Sequence, residues 1–318
     1  MIALIAIFVI VAATVFAFGA RGLNLSYILN PSTNLTLSAI VLISFILGIL
    51  HGVTPDEHTW PITFSYAVGS YSTRKGMKAG FAFSAGFTLQ RAFLTTLGFL
   101  GLASIYKTYN LNGPIYVIVG IAMAIAGSYI LNKKVDLHLP IDALFGNKHH
   151  TEKAERTPMH DVPLPMAVGH GLIAGFGFGA YATIITFILA PQVPSLVYAP
   201  LPGLFFGLGT MTMQIVFGAI FANLARIRKF SEQQMKFLGR RTAGRTLFYG
   251  GIIFSVIGLL IIAFPVINQW AISTGNPIPN LDSINVATLL VLVVVGGFGI
   301  GNIIWSFYEI ISGKEIKG

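Results

Sequence analysis

Two histidines and two carboxylates lie within the eight residues His51-Gly-Val-Thr-Pro-Asp-Glu-His58. Imidazole and carboxylate groups together suit divalent transition metals. The surrounding sequence, from about residue 35 to 71, is apolar enough to lie within a membrane. Ionisable groups at that depth are costly, and they usually mark a substrate or ion path. The octapeptide therefore predicts an intramembrane metal site with His51, Asp56, Glu57 and His58 as candidate ligands.

The composition is that of a membrane protein. Of 318 residues, 54% are hydrophobic and only 10% are charged, and the mean hydropathy is +0.77. A soluble domain carries about 25% charged residues. The chain contains no cysteine, which excludes disulfides and thiolate metal sites. The formal net charge is +9, but the basic residues are dispersed over short loops, which argues against a nucleic-acid partner.

The apolar segments predict an all-α, polytopic fold with about eight transmembrane helices, since about 20 apolar residues span a bilayer. The predicted spans lie near residues 2–20, 35–53 with a continuation to about 71, 79–104, 115–132, 163–192, 200–225, 246–270 and 284–312. They divide the chain into a first transmembrane half (1–132), a loop (133–162) and a second transmembrane half (163–318).

The distribution of Lys and Arg predicts the orientation. When the loops are assigned alternately to two sides, nearly all of these residues fall on one side, and only Arg21 and Lys107 fall on the other. The positive-inside rule makes the first side cytoplasmic. We therefore expect a multi-pass protein of the cell membrane with both termini in the cytoplasm.

The predicted cytoplasmic loop 133–162 is rich in histidine. Such loops can collect metal ions, although a solvated, flexible loop is the alternative. Its four histidines are His138, His149, His150 and His160.

The second predicted span is too long for one straight helix. Residues 35–71 would extend about 55 Å, whereas the hydrocarbon core is about 30 Å thick. Pro55 has no N–H and deprives the carbonyl of His51 of its helical partner, so we expect a break there. On an unbroken helix Asp56 would point about 140° away from His51. A break could turn Asp56 and His58 back towards His51.

The dipeptide His51-Gly52 recurs as His170-Gly171 in the fifth predicted span, which runs in the opposite direction. Spans two to four and five to seven would then form a 3+3 inverted repeat, a common transporter plan with the substrate site at the repeat interface. His170 could supply a further metal ligand across the repeat. A hydrogen-bonded core histidine is the alternative.

Gln90 and Arg91 lie about halfway along the third predicted span and are candidate pore residues. A guanidinium within the membrane requires a partner, for which Asp56 or Glu57 is the natural candidate. The alternative is that Arg91 extends its side chain to the membrane interface.

The spacing of His51, Asp56 and His58 resembles the His-x4-Asp-His signature of the nickel/cobalt transporter (NiCoT/NicO-type) superfamily. Here Glu57 adds one residue before the second histidine. In that family the signature lies in the second of eight spans, and both termini are cytoplasmic. The resemblance implies a divergent permease for nickel or cobalt.

Two further motifs extend this resemblance over roughly residues 40–130 and 165–265. Residues 80–88, GFAFSAGFT, resemble the third-span motif, but Phe87 stands where the family carries a histidine. Residues 175–179, GFGFG, resemble the start of the fifth-span motif, without the acidic residues that the family has there.

The leading hypothesis is a secondary transporter, because the chain has no Walker sequence for ATP. The carried ion (Ni²⁺, Co²⁺ or Zn²⁺) would be its substrate, no permanently bound cofactor is predicted, and a homo-oligomer is compatible with the sequence. One alternative is a divergent family member that carries another ion, even an anion. The other is an intramembrane zinc hydrolase, in which His51, Asp56 and His58 leave one coordination position open for water.

Overall fold

The computed structural model describes residues 25–105, 109, 111–131, 159–224 and 230–313. The predicted first span near residues 2–20 lies outside these ranges, as do three histidines of the 133–162 loop: His138, His149 and His150.

The described part of the chain is mainly helical. Its helices are α1 (Leu25–Leu29), α2 (Leu37–Val53), α3 (Trp60–Gly69), α4 (Thr73–Phe99), α5 (Asn112–Leu131), α6 (Leu164–Ala174), α7 (Ala180–Gln192), α8 (Leu201–Leu224), α9 (Glu232–Ala263) and α10 (Val286–Ile311). Short 3-10 turns lie at Leu102–Ser104, Leu196–Tyr198 and Pro265–Gln269. Strands β1 (Ala271–Ser273) and β2 (Ser283–Asn285) form an antiparallel hairpin between α9 and α10, with Ile272 opposite Ile284.

Four helical segments are long and apolar enough to cross a membrane: α5, Leu196–Leu224 (which contains α8), α9 and α10. Helices α2, α6 and α7 are apolar but shorter. By length and composition these helices indicate a membrane-embedded protein. The count of eight spans and the inverted repeat stay predictions.

The predicted break in the second span is confirmed. Helix α2 ends at Val53, and Thr54 has an extended backbone (φ −76°, ψ 143°), the conformation favoured immediately before a proline. Helix α3 starts at Trp60, so residues 54–59 separate two half-helices.

The fifth predicted span, 163–192, is also divided, and its prediction as one continuous helix is wrong. Helix α6 ends at Ala174 and α7 begins at Ala180. The intervening residues, 175–179, contain three glycines, which have the poorest helix propensity after proline. This second break was not among the predictions from the sequence.

The start of α9 differs from its prediction as well. Residues 232–245, expected as part of a loop, form the first turns of a 32-residue helix. Ser231 and Gln234 make a capping box that satisfies free backbone N–H groups at this end. The helix therefore starts earlier than its apolar segment.

Helices α5 and α9 pack closely along a seam of glycines. A Cβ atom at Gly120 would lie 2.5 Å from the Gly251 carbonyl oxygen, and one at Gly127 would lie 2.6 Å from that of Gly244. Small residues at such positions allow backbones to approach. The seam brings Tyr116 on α5 against Phe254 on α9, with ring centroids 5.8 Å apart.

Charged residues from several predicted cytoplasmic segments meet at one end of the bundle. The Arg240 guanidinium on α9 lies 2.6 Å from Asp161, just before α6. Arg245, also on α9, lies 2.8 Å from Glu309 near the end of α10. The predicted topology likewise places the starts of α6 and α9 and the end of α10 on one side of the membrane.

Candidate metal centre

The two helix breaks face each other. The ring of His58, from the first break, lies against Gly177 of the second, where a Cβ atom would come within 2.6 Å of His58 Nδ1. A cavity opens between the breaks with room for about one water molecule. Its lining consists of His51, Asp56, His58, Arg91, Gly177, Gly179, Tyr181, Ala182 and Asn280. This size suits a monatomic ion that has lost most of its water.

Asp56 bridges α3 and His51. Its Oδ1 accepts hydrogen bonds from the backbone N–H groups of His58 (3.0 Å) and Thr59 (2.9 Å), just before α3. Its Oδ2 lies 3.8 Å from His51 Nδ1. Two ligand atoms each about 2.1 Å from one metal ion lie at most about 4.2 Å apart. The expected approach of Asp56 to His51 is therefore confirmed, at a separation that one ion could bridge.

Glu57 orients His58. Glu57 Oε1 lies 3.0 Å from His58 Nδ1 and accepts a hydrogen bond from the Tyr116 hydroxyl at 3.0 Å. An ionised carboxylate can only accept hydrogen bonds, so His58 Nδ1 carries a proton in this contact. In a neutral His58 ring, the lone pair available to a metal ion is therefore on Nε2. His58 Nε2 is buried and has no hydrogen-bond partner within the described ranges. A carboxylate behind an imidazole is a frequent arrangement at metal sites.

The ligand atoms of Asp56, Glu57 and His58 all lie within 4.8 Å of one another. Glu57 is absent from the cavity lining. Its contacts therefore favour an orienting role over direct ligation.

The imidazole of His51 is held in an aromatic box. Its ring stacks on Phe87 and Phe206, with centroids 5.6 and 5.2 Å away, and meets the edge of Tyr181 at 5.6 Å. His51 is 5% exposed, and its Nε2 has no hydrogen-bond partner in the part of the chain described. Phe87 thus forms one wall of the pocket that holds the His51 ring.

Arg91 is 3% exposed, so the interface alternative for this residue is wrong. Its Nη2 donates a 2.7 Å hydrogen bond to the Gly177 carbonyl. The guanidinium also lies over the Phe87 ring, 4.8 Å from the centroid. Arg91 lines the same cavity as Asp56, and the ion pair between them stays a prediction.

Comparisons with known proteins do not extend the family resemblance: no protein-family model, curated protein or solved structure matches the chain. The resemblance to nickel/cobalt transporters rests on the residues quoted above. The function is therefore inferred from the chemistry of the site.

The other candidate site residues lie outside the cavity lining. His170 Nδ1 is 2.7 Å from the Tyr66 hydroxyl and 3.0 Å from the Met166 carbonyl, which matches the alternative of a hydrogen-bonded core histidine. Gln90 packs against Gly175, and its amide has no hydrogen-bond partner among the residues described. His160 stacks on Tyr129 at 4.5 Å. Metal ligation by His170 stays untested.

Sequence reasoning missed three polar side chains of the site. Tyr116 bonds to Glu57, whereas Tyr181 and Asn280 line the cavity. The alternating glycines at 175–179 were a signal for the second break. Asn280 lies in the connection between the last two predicted spans, where no local pattern indicates a site.

Proposed function

We propose that the protein is a secondary transporter of divalent transition-metal ions with a transient site at His51, Asp56 and His58. The observation that supports this proposal is that two imidazoles and one carboxylate line the same small cavity, with Asp56 Oδ2 3.8 Å from His51 Nδ1. Imidazole and carboxylate groups at such a separation can bind one divalent transition-metal ion between them.

The donor set favours borderline metals. Two imidazoles and one carboxylate suit Ni²⁺, Co²⁺ and Zn²⁺ better than Ca²⁺ or Mg²⁺, which prefer oxygen ligands. A cavity with room for about one water molecule would require the ion to exchange its water shell for protein ligands. We propose Co²⁺, Ni²⁺ and Zn²⁺ as the substrates to test first.

We also infer that α2–α5 and α6–α9 form a 3+3 inverted repeat. In each half the first two helices, α2 with α3 and α6 with α7, count as one broken span. Every seventh residue is glycine along part of α5 and again along part of α9. The two sets pack in antiparallel order, so exchanging α5 and α9 leaves the pattern of contacts unchanged. The facing pairs are Gly113 with Gly258, Gly120 with Gly251, and Gly127 with Gly244.

The histidine-glycine dipeptides support the same relation. A Cβ atom at Gly52 would approach the Thr210 carbonyl on α8, and one at Gly171 would approach the Phe83 carbonyl on α4. Similarly, Gly76 on α4 faces Gly218 on α8, and Gly203 on α8 faces Arg91 on α4. A two-fold axis in the membrane plane would relate these contacts. Transporters with such repeats place their ion sites between broken helices.

We propose that the chain is a divergent member of the nickel/cobalt transporter superfamily, with eight spans in the cell membrane and both termini in the cytoplasm. The common end of the bundle shared by Arg240 and Arg245 supports this orientation, because basic residues remain on the cytoplasmic side.

The runner-up is an intramembrane zinc hydrolase. One observation favours it: Arg91 and the start of α7 line the cavity, and the α7 N-cap, Gly179, supplies no side-chain hydrogen bond. A guanidinium and a helix N-terminus can stabilise an oxyanion. However, a cavity with room for about one water molecule leaves little space for an organic substrate.

Flux measurements in proteoliposomes test the proposal. We expect Co²⁺, Ni²⁺ or Zn²⁺ flux, and we expect His51→Ala and His58→Ala to reduce it at least about tenfold, since each removes a ligand. His160→Ala is the matched control because this histidine lies outside the cavity lining. Unchanged flux of every metal in both site variants would refute transport through this site. A tightly bound, non-exchanging zinc ion would favour the hydrolase.

A further inference from the structure

The connection between α9 and α10 reaches the candidate metal centre. Residues 270–285, here called the hairpin segment, contain β1, β2 and the loop between them. Asn280 in this loop lines the cavity with His51, Asp56 and His58. Its backbone is left-handed, with φ 66°, a conformation that asparagine adopts more readily than most residues. The loop thus has a specific local structure that places Asn280 at the site.

Contacts connect the hairpin segment to both helix breaks. The Asn280 amide nitrogen is 3.4 Å from the Thr54 hydroxyl in the first break. The Tyr181 hydroxyl, in the first turn of α7 after the second break, donates to the Pro279 carbonyl at 3.2 Å. Ile278 beside them is 5% exposed. The segment therefore covers the junction of the two breaks.

We propose that Asn280 is a further ligand of the ion site and that the hairpin segment is a lid closing the site from the predicted non-cytoplasmic side. The ligand role rests on the transport function proposed above. With its Nδ2 directed to Thr54, the amide keeps Oδ1 as an acceptor. This oxygen can join the imidazoles and the carboxylate around a small divalent ion.

This arrangement couples ion binding to closure. The Asn280 oxygen reaches the ion only when the lid is seated on Thr54 and Tyr181, so a bound ion stabilises the closed lid. Lids that complete a site in this way exclude water and retain the substrate. The hydrogen bond from the Tyr181 hydroxyl to the Pro279 carbonyl would hold the lid in place between ion-binding events.

The absence of natural cysteines allows lid opening to be measured directly. Ile278→Cys places a reporter thiol on the buried side of the lid and outside the cavity lining, whereas Ser273→Cys places one on the exposed strand β1. We expect a membrane-impermeant thiol reagent to label the position 278 thiol at least about tenfold more slowly than the position 273 thiol, and Co²⁺ to slow labelling at 278 only. Adding Asn280→Ala should accelerate labelling at 278 with or without Co²⁺.

Equilibrium Co²⁺ binding to the purified full-length protein tests the ligand role. Asn280→Ala should weaken Co²⁺ binding about tenfold, and Asn280→Asp should restore it because an oxygen ligand is kept. Gln269→Ala is the matched control, since this exposed amide lies just outside the hairpin segment. It should bind Co²⁺ like the unmodified protein.

The outcomes separate the two proposals. If the unmodified protein neither binds nor carries a divalent metal, both the transport function and the ligand role of Asn280 are refuted. The labelling rates measured without metal still test whether the hairpin segment acts as a lid. If metal flux is present but Asn280→Ala alters neither affinity nor labelling at 278, transport stands and the inference about Asn280 is overturned.

Discussion

Glu57 Oε1 lies 3.0 Å from His58 Nδ1. The Tyr116 hydroxyl donates to the same oxygen at 3.0 Å, so this carboxylate is held between α5 and the first helix break. Glu57 is also the residue that lengthens the family-like signature. The inserted carboxylate thus lies behind His58, where it can position the ring for an ion.

Replacing Glu57 by Gln should weaken Co²⁺ binding about 10- to 100-fold, because it removes the negative charge behind His58 while keeping the side-chain shape. Equilibrium binding measures the effect. Glu232→Gln is the control, because Glu232 pairs with Lys236 on the exposed face of α9. Equal affinities of the two variants would exclude the orienting role.

The contact between His58 and Gly177 should be intolerant of a side chain. In Gly177→Ala the new Cβ would lie 2.6 Å from His58 Nδ1, so the ring must move. We expect the variant to fold and to lose at least about tenfold in Co²⁺ affinity, as when a residue that positions a metal ligand is replaced. At Gly169 on α6 a Cβ meets no atom within 4 Å, so Gly169→Ala should bind Co²⁺ normally. Normal binding by Gly177→Ala would contradict the described packing.

The glycine seam between α5 and α9 should determine stability. In Gly120→Ala the new Cβ would lie 2.5 Å from the Gly251 carbonyl oxygen, which forces the two helices apart. Overpacking of this kind costs about 1–3 kcal/mol. Thermal unfolding in detergent should show a lower midpoint for Gly120→Ala than for Gly301→Ala, where a Cβ meets no atom within 4 Å. Equal midpoints would argue against close packing at Gly120.

The ion pair of Asp161 and Arg240 should contribute a small, pH-dependent stability. Burial raises the pKa of Asp161, but the hydrogen bond and charge of Arg240 lower it, and the charges of Lys75 and Lys236 add to this effect. Together they hold this pKa below its ordinary value of 3.8. Because the folded-state pKa is depressed, the stabilisation is complete above about pH 5 and is lost as the pH falls through the folded-state pKa. For a largely exposed aspartate it amounts to about 0.2–1 kcal/mol.

Asp161→Asn should remove this contribution near neutral pH and reduce the loss of stability on acidification. Unfolding midpoints between about pH 7 and pH 3 measure it. A parallel decline for the variant and the unmodified protein would show that the pair contributes nothing.

Local chemistry explains which parts of the fold were predictable. Pro55 lacks an N–H, so its effect on the helix depends on no distant residue, and the approach of Asp56 to His51 followed from that break. The glycines at 175–179 were ambiguous, because glycine serves both helix seams and helix ends. Two long-range contacts accompany the second break. Gly177 packs against His58, and the Gly177 carbonyl accepts a hydrogen bond from Arg91.

The sequence by itself determined the membrane class, the first helix break and the grouping of His51, Asp56 and His58, because these depend on composition and on neighbours along the chain. Only the tertiary structure decided that Glu57 supports His58, that His170 bonds to Tyr66, and that Asn280 joins the cavity. Each of these contacts joins side chains whose partner is set by how the helices pack. A local pattern of residue types does not encode that choice.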